Sequence, residues 1–258
     1  MGTPTCVCVL SWGAVCGALA LSAFAAPAAQ AEENPITFSS IAINSGRPLV
    51  VGTGTPRAFR VHYSVHHGHE LYFTQATLYA GGFDSWSAST SPVAQPSCRD
   101  LSATVARCEQ TLAIDPKTLT DNGVAGTWHV YLQAVDSEHN VVGKGGLYPT
   151  AVKRASTLAH TAAGPEPVVK GETLTVTGKL AHADWHTHTY VGRSGRTVEL
   201  QFRPVGGSYR TVKTVQTGSG GALRTTVTAS ADGSWRWLHK GDSTVNGAVA
   251  VGDAVDVK

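Results

Sequence analysis

The sequence predicts an all-β protein in which two β-sandwich domains follow an N-terminal export signal. Val and Thr, which favour strands, each occur 29 times among the 258 residues. Charged residues make up only 15% of the chain, against ~25% in typical soluble domains, and apolar residues make up 42%. Apolar and polar residues alternate with a period of two along many short segments, which is typical of strands with one buried face.

Residues 1–31 have the pattern of a signal peptide. Residues 6–29 carry no charged side chain, and Ala29-Gln30-Ala31 supplies the small residues of a cleavage site. A retained membrane anchor is the alternative, because the apolar span approaches the ~20 residues that cross a bilayer. Pro27 and the small residues near the cut favour removal. We therefore expect a mature chain that is secreted or extracellular, with no membrane span.

Residues 32–154 are predicted to form the first sandwich domain. Turn-rich stretches at residues 52–56, 81–82 and 121–123 separate its short strands. We expect Trp128 to fill the core, because a Trp on a sandwich strand is usually buried. Two alternating sets each share one strand face: Phe59, Val61, Tyr63 and Val65, and Trp128, Val130, Leu132 and Ala134.

A domain junction is predicted near Arg154, because this residue lies in a segment, residues 153–167, that contains Ala162-Ala163-Gly164 and two prolines. Residues 155–258 then form the second domain, with about seven strands in about one hundred residues, the count of an immunoglobulin-like (Ig-like) sandwich. We expect Trp235 or Trp237 to fill its core. Its clearest alternating segments and turns lie at residues 173–177, 198–203, 206–207 and 223–227.

Short motifs in both halves resemble a known arrangement of domains. The second half contains, in order, KGETLTVTGKL (170–180), ADW (183–185), VELQFR (198–203), DGSWR (232–236) and GDAVD (252–256). Together these motifs resemble the C-terminal Ig-like domain of secreted actinobacterial proteins. The first half resembles the uncharacterised N-terminal β-domain that often precedes it, through ITF (36–38), RPLVV (47–51) and GTW (126–128). The resemblance implies export and two tandem Ig-like β-sandwich domains, and it implies no catalytic residue, cofactor or ligand.

The cysteines agree with an exported chain. Cys6, Cys8 and Cys16 lie in the predicted signal peptide, which leaves Cys98 and Cys108 in the mature protein. Two cysteines in an exported protein most simply pair. No Cys-x-x-Cys motif accompanies them, so we expect a structural disulfide rather than a redox or nucleophilic role.

The charge balance argues against two classes of partner. Lys and Arg together number 20 and Asp and Glu number 18, which gives a formal charge of +2. A balance so close to neutral offers no strong basic field for nucleic acid or an anionic membrane. We expect neither partner, and instead an extracellular or cell-wall ligand whose identity the sequence does not give.

Histidines form the one group that composition connects to metal chemistry. Neutral imidazoles bind Zn²⁺ or Cu²⁺, and alternate residues of an extended strand project on one side, so His186 and His188 could share an ion. The competing interpretation places the first histidine group in a solvated turn between two strands. The candidate metal ligands are His66, His67 and His69 beside Glu70, and His182, His186 and His188 around Asp184.

No pattern of an enzyme can be assembled from spacing. The near match to a zinc-protease motif at residues 69–73 ends in Phe73 and lies in a strand pattern, not a helix. There is no Gly-x-Ser-x-Gly for a nucleophilic serine, and the carboxylates lie mostly in predicted turns. Asp136, Glu138 and Asn140 offer oxygen ligands for Ca²⁺, but an ordinary turn explains them as well. We expect a non-enzymatic protein without a cofactor.

Trp86 differs from the other tryptophans because small polar residues surround it. It could stack on a sugar ring, or it could belong to a loop that folds over the sandwich. The sequence therefore predicts a secreted, non-enzymatic β-sandwich protein that acts as an extracellular or cell-surface binding or structural module. The alternatives are a histidine-based metal-binding protein and a cell-wall or carbohydrate-binding protein that uses Trp86.

Overall fold

The computed structural model describes residues 36–258, in which strands dominate and no α-helix occurs. Four short 3-10 turns lie between the strands, at Asn44–Gly46, Pro116–Thr118, Asn122–Val124 and Ser219–Gly221. The predicted all-β fold class is confirmed. The predicted export signal, residues 1–31, lies outside the described residues. None of the described helical segments is long and apolar enough to span a membrane.

Among the described residues, ten strands precede residue 155. They are β1 (Thr37–Ile43), β2 (Leu49–Val51), β3 (Arg57–His66), β4 (Leu71–Gly82), β5 (Ser85–Ser89), β6 (Ser91–Pro92), β7 (Ser97–Ser102), β8 (Val105–Ile114), β9 (Gly126–Asp136) and β10 (Val141–Arg154). One sheet has the order β1-β3-β8-β6, with β7 also on β8, and the other has the order β2-β10-β9-β4-β5. We refer to these two sheets together as the N-terminal sandwich.

Strict alternation explains the core of the N-terminal sandwich. Every second residue of β8 and β9 is buried, so one face of each sheet supplies the core while the other faces outward. Trp128 is fully buried, as predicted, and its indole N–H donates to the Val124 carbonyl over 2.8 Å. Gln110 is also buried, and its side-chain oxygen accepts from the Ala76 amide at 2.7 Å. Burial of the Gln110 side chain therefore costs little free energy, because the side-chain oxygen keeps a hydrogen bond.

Ten strands follow residue 155. They are β11 (Ser156–Leu158), β12 (Ala162–Gly164), β13 (Thr173–Asp184), β14 (Thr189–Val191), β15 (Thr197–Pro204), β16 (Arg210–Gln216), β17 (Ala222–Thr228), β18 (Gly233–His239), β19 (Ala248–Val249) and β20 (Asp253–Val255). In one sheet β13 pairs with β11, β12, β14 and β17, and the other has the order β16-β15-β18-β19, with β20 also on β18. These sheets form the C-terminal sandwich.

The core of the C-terminal sandwich contains both candidate tryptophans. Trp235 and Trp237 are buried on the inner face of β18, and the indole N–H of Trp237 donates to the Thr177 carbonyl over 2.9 Å. The sequence predicted that one of these two tryptophans fills the core, and both of them do.

The border between the sandwiches is buried and hydrogen-bonded. Ala183 and Trp185 belong to the N-terminal core although they follow residue 155, and the Trp185 indole N–H donates to the Gly52 carbonyl at 3.0 Å. Arg154 is itself buried, and its backbone pairs with Val245 in a short parallel bridge. The sandwiches therefore share a packed border, and the division into domains at residue 154 stays a prediction.

Candidate functional site

The first histidine group lies in the turn that joins β3 to β4. His66 ends β3, and its Nε2 lies 2.7 Å from the Ser39 hydroxyl. The ring Nδ1 of His67 is 2.8 Å from the carbonyl of His69, so it donates back to its own turn. Local hydrogen bonds therefore occupy ring nitrogens of His66 and His67, which is the behaviour expected of turn residues rather than of a ligand set.

The second histidine group does not form the expected extended run. His186 and His188 lie in the turn between β13 and β14, not on a strand, so the alternation argument that placed them together was wrong. The ring of His186 contacts the Thr120 carbonyl at 3.1 Å, and His188 is exposed with a φ of 53°. Asp184 organises this turn, because its Oδ1 accepts from the backbone amides of His186 and Thr187, each at 3.1 Å.

His182 is separated from these two residues because its side chain is buried inside the C-terminal sandwich. Burial, the neighbouring His239, and the charges of Arg154 and Arg196 together lower its pKa to about 4. A metal cation at His182 would meet the same two arginines. Within residues 36–258, no group of three or more His, Cys, Asp or Glu side chains is placed to hold a metal ion.

The predicted calcium ligands instead stabilise a turn. Asp136 Oδ1 accepts from the backbone amides of Glu138 and Asn140 at 3.0 and 2.9 Å, and its Oδ2 accepts from the Asn140 side chain at 2.9 Å. Both carboxylate oxygens are therefore engaged within one tight turn. This is the ordinary role of Asp at such a position.

Cys98 and Cys108 form a disulfide, as predicted. The two residues lie directly opposite each other on the paired strands β7 and β8. Cys98 is exposed, whereas Cys108 is part of the N-terminal core. The bond thus fastens a short, exposed outer strand to a long strand of the core, which is a structural role.

Trp86 lies on β5, not in a free loop, and it belongs to an aromatic cluster on the outer side of the second N-terminal sheet. Its ring stacks on Tyr79 with 4.8 Å between centroids and 15° between planes. Tyr131 meets the edge of Trp86 at 5.8 Å, and Phe83 lies 6.0 Å from Tyr131. We refer to Tyr79, Phe83, Trp86 and Tyr131 as the aromatic face.

Glycines beneath the aromatic face make this arrangement possible. A Cβ at Gly143 would lie 2.1 Å from the Tyr131 hydroxyl oxygen, and one at Gly145 would lie 2.1 Å from Cδ2 of Phe83. Larger residues at these positions of β10 would therefore displace the rings. The Gly146 amide donates to the Tyr79 hydroxyl over 2.7 Å, which fixes the lowest ring of the stack.

The rings of the aromatic face are covered to different extents. Tyr79 is buried beneath Trp86, whereas Trp86 is 42% exposed and Phe83 is 52% exposed. The aromatic face therefore combines one buried, hydrogen-bonded ring, that of Tyr79, with accessible neutral rings. Sequence reasoning singled out Trp86 but missed its three partners and the role of the glycines of residues 143–146. The available signal was that Tyr79 and Tyr131 lie at outward positions of the neighbouring strands β4 and β9, next to closely spaced glycines on β10.

A second concave region lies at the end of the C-terminal sandwich. This cavity of about 970 Å³ is lined by both acids and bases, including Glu166, Asp232, Asp256, Arg203 and Lys258. Partial burial, followed by the charges of Asp253 and Asp256, raises the pKa of Glu166. Asp232 is already engaged, because its Oδ1 accepts from the Val257 amide at 2.7 Å.

Comparisons with known proteins give likeness in structure only. No protein-family model and no curated protein sequence matches the chain. Latent PorU from Porphyromonas gingivalis is 14% identical with a TM-score of 0.30, and the match covers 90% of this chain but 21% of the PorU chain. The fibronectin(III)-like modules of CbhA from Clostridium thermocellum are 15% identical with a TM-score of 0.34, over 84% of this chain and 92% of theirs. The D00-D0 domain of intimin is 14% identical with a TM-score of 0.27, over 83% and 98% of the two chains. None of these likenesses assigns a ligand to this chain.

Proposed function

We propose that this chain is a non-enzymatic binding module that works outside the cell and contacts a cell-wall polysaccharide through the aromatic face. The observation that carries the proposal is the stack of Trp86 on Tyr79, which presents a half-exposed indole on the outer side of a sheet. A flat, neutral ring suits the C–H face of a pyranose, because the negative face of the ring's quadrupole attracts weakly positive C–H groups.

The hydrogen-bonded Tyr79 beneath Trp86 supports a role in binding rather than only in covering the sheet. Tyr79 is held from below by the Gly146 amide, so Trp86 loses little additional freedom when a ligand docks on it. Exposed rings that are already ordered bind more tightly than rings that must first be ordered. Phe83, in the turn between β4 and β5, and Tyr131, on β9, extend the same surface.

Location outside the cell is supported by two independent features. The disulfide between Cys98 and Cys108 is typical of oxidising compartments. The predicted export signal in residues 1–31 agrees with this compartment. A polysaccharide of the cell surface is a ligand that the protein would meet there.

Binding to purified wall polysaccharide tests this proposal. We expect the wild-type protein to sediment with the polysaccharide and Trp86→Ala to bind about 10-fold or more weakly, as for a central aromatic contact. Trp86→Phe should keep most of the binding because it retains a ring over Tyr79. Tyr72→Ala is the matched control, since Tyr72 is 79% exposed but lies outside the aromatic face.

Two outcomes would overturn the proposal. One is that wild-type protein does not bind any of the wall polysaccharides. The other is that Trp86→Ala and Tyr72→Ala bind as tightly as wild type while their near-ultraviolet circular dichroism shows a native fold.

A further inference from the structure

Two histidines face each other inside the C-terminal sandwich close to its border with the N-terminal sandwich. His182 lies on β13 and His239 lies on β18, and their ring centroids are 5.2 Å apart. Only 2% of His182 and 6% of His239 are exposed. Because both rings are nearly removed from water, the protonation state of His182 depends on its protein neighbours.

Hydrogen bonds fix the tautomer of both rings. The Nδ1 atom of His239 lies 3.1 Å from the Thr197 carbonyl, which can only accept, so this nitrogen carries the proton. The Nδ1 atom of His182 lies 2.9 Å from the Ser156 hydroxyl oxygen, and that hydroxyl donates its own proton to the Asn246 carbonyl at 2.5 Å. His182 must therefore also donate from Nδ1. Both Nε2 atoms carry lone pairs, are buried and have no hydrogen-bond partner among the described residues.

The hydrogen bond of His182 continues directly into the border between the sandwiches. The backbone carbonyl of Asn246 accepts the hydrogen bond from Ser156, and the backbone amide of Asn246 donates to the Arg154 carbonyl over 2.9 Å. The Arg154 amide donates to the Thr244 carbonyl over 2.9 Å, and its guanidinium donates to the Ala183 carbonyl over 3.3 Å. The loop between β18 and β19, residues 240–247, is thereby attached to the segment that joins the two sandwiches.

The charges around the pair are mostly positive or already neutralised. Arg154 and Arg196 both act on His182, and Arg193 is paired with Asp184 at 2.9 Å. Two further carboxylates lie nearby. Glu199 is paired with Lys240 at 2.5 Å, and the Oδ1 of Asp242 accepts from the backbone amides of Thr244 and Val245 at 2.7 and 2.9 Å. A proton on His182 would therefore add a cation next to arginines in a site that little water reaches.

We propose that His182, packed against His239, forms a proton-sensitive lock, in which neutral His182 holds residues 240–247 against Arg154 and protonated His182 releases this loop. The lock is closed at neutral pH. Uptake of a proton opens the border locally and admits water to the imidazolium, while the core of the N-terminal sandwich stays folded.

The direction of the pH dependence follows from the low pKa of His182. Its pKa is about 4 in the closed state, below the ordinary value near 6.5 that an opened, hydrated ring would have. The open state therefore binds the proton more tightly, and opening becomes easier as the pH falls from about 6.5 towards 4. For one such histidine the opening constant rises roughly 30-fold between about pH 7.5 and pH 5.

Hydrogen exchange measured by mass spectrometry at both pH values tests this lock, after correction for intrinsic exchange rates. We expect peptides covering residues 152–157 and 240–247 to lose protection at the lower pH, while β3 in the N-terminal core keeps its protection. In His182→Asn the amide nitrogen replaces the Nδ1 donor to Ser156 but cannot be protonated, so the pH effect should largely disappear.

Two further variants keep the outcome decisive. His239→Asn preserves a donor near the Thr197 carbonyl and should also reduce the effect, which covers the case in which His182→Asn does not fold. His160→Asn is the matched control, because His160 is an exposed histidine of the same half, and it should behave as wild type. An equal loss of protection in wild type and in the folded asparagine variants would overturn the proposal, as would a loss that is uniform across both sandwiches.

Discussion

The two sandwiches bury a tryptophan in the same way, but they differ in which parts of the chain complete their cores. Each buries a Trp on a central strand and satisfies its indole N–H with a backbone carbonyl, at 2.8 Å for Trp128 and 2.9 Å for Trp237. Among the described residues, the C-terminal core is built only from residues after 155, whereas the N-terminal core also takes in Ala183 and Trp185. The order of the strands along the chain therefore does not fully separate the two cores.

Both sandwiches bury polar side chains, but these side chains are arranged differently. In the N-terminal sandwich, Gln110 and Thr74 each hydrogen-bond to a backbone group. At the border, Arg154 of β10 is buried close to the facing pair His182 and His239. The border therefore brings several buried ionisable side chains together. Three predictions test this comparison, in addition to those for the aromatic face and for the histidine pair.

The largest effect is expected for Trp185→Ala, because a fully buried indole and its hydrogen bond to Gly52 are lost. The free energy of unfolding should fall by about 3–5 kcal/mol, the usual range for Trp→Ala in a core. Because this ring lies in the N-terminal core, hydrogen exchange in β3 and β9 should accelerate. Trp237→Ala is the control, with a similar loss confined to the C-terminal sandwich. The comparison fails if both variants affect the same strands.

A smaller effect is expected when the disulfide is removed. Replacement of both Cys98 and Cys108 by Ala should lower the free energy of unfolding of the N-terminal sandwich by about 3 kcal/mol, because a short loop is no longer closed in the unfolded chain. Urea denaturation followed by the fluorescence of the native tryptophans measures this loss. Wild-type protein under reducing conditions should show the same loss. Hydrogen-exchange protection in the C-terminal strands should not change. An equal loss of protection there would contradict the conclusion that the two cores are built separately.

The smallest effect is expected for Asp184→Asn at the border. Burial alone would raise the pKa of Asp184, but hydrogen bonds from Thr187, Asn122 and Arg193 prevail and lower it to about 2. The native state therefore favours the carboxylate, and this stabilisation is present above about pH 4 and is lost as the pH falls towards 2. We expect the variant to lose about 1–2 kcal/mol at neutral pH and to show a flatter stability profile below pH 4.

Asp121→Asn is the matched control for that experiment. Asp121 accepts the Gly123 amide at 2.8 Å in an exposed turn of the N-terminal half, and Asn serves as well as Asp in such a cap. Its stability should change by less than about 0.5 kcal/mol. A loss as large as that of Asp184→Asn would show that the border position confers no special stability.

Much of the fold could be predicted because side-chain alternation is a local property of the backbone. Trp128, Val130, Leu132 and Ala134 were expected to share one strand face, and all four are buried on β9. The turn at Gly206-Gly207 was also expected, and it joins the paired strands β15 and β16. The same reasoning failed for His186 and His188, because Asp184 binds the following amides and ends β13 before them.

The candidate site was less predictable, because its members are distant in sequence. Trp86 attracted attention by its polar neighbours, but its contact with Tyr79 depends on how β5 folds back on β4. The role of the β10 glycines was not predicted, because only the register of β10 on β9 places them beside the rings. Likewise, His239 attracted no attention in the sequence because its partner, His182, lies on a strand of the opposite sheet.

The sequence by itself determined that the described chain is built of strands, which residues of its clearest alternating segments face inward, and which two cysteines pair. These properties depend on a period of two and on a simple count, both of which are contained in the order of the residues. Only the tertiary structure decided that Trp185 completes the other core, that four rings form one face, and that two histidines share a buried site. Such contacts depend on strand register and sheet packing, which bring together residues that no spacing along the chain relates.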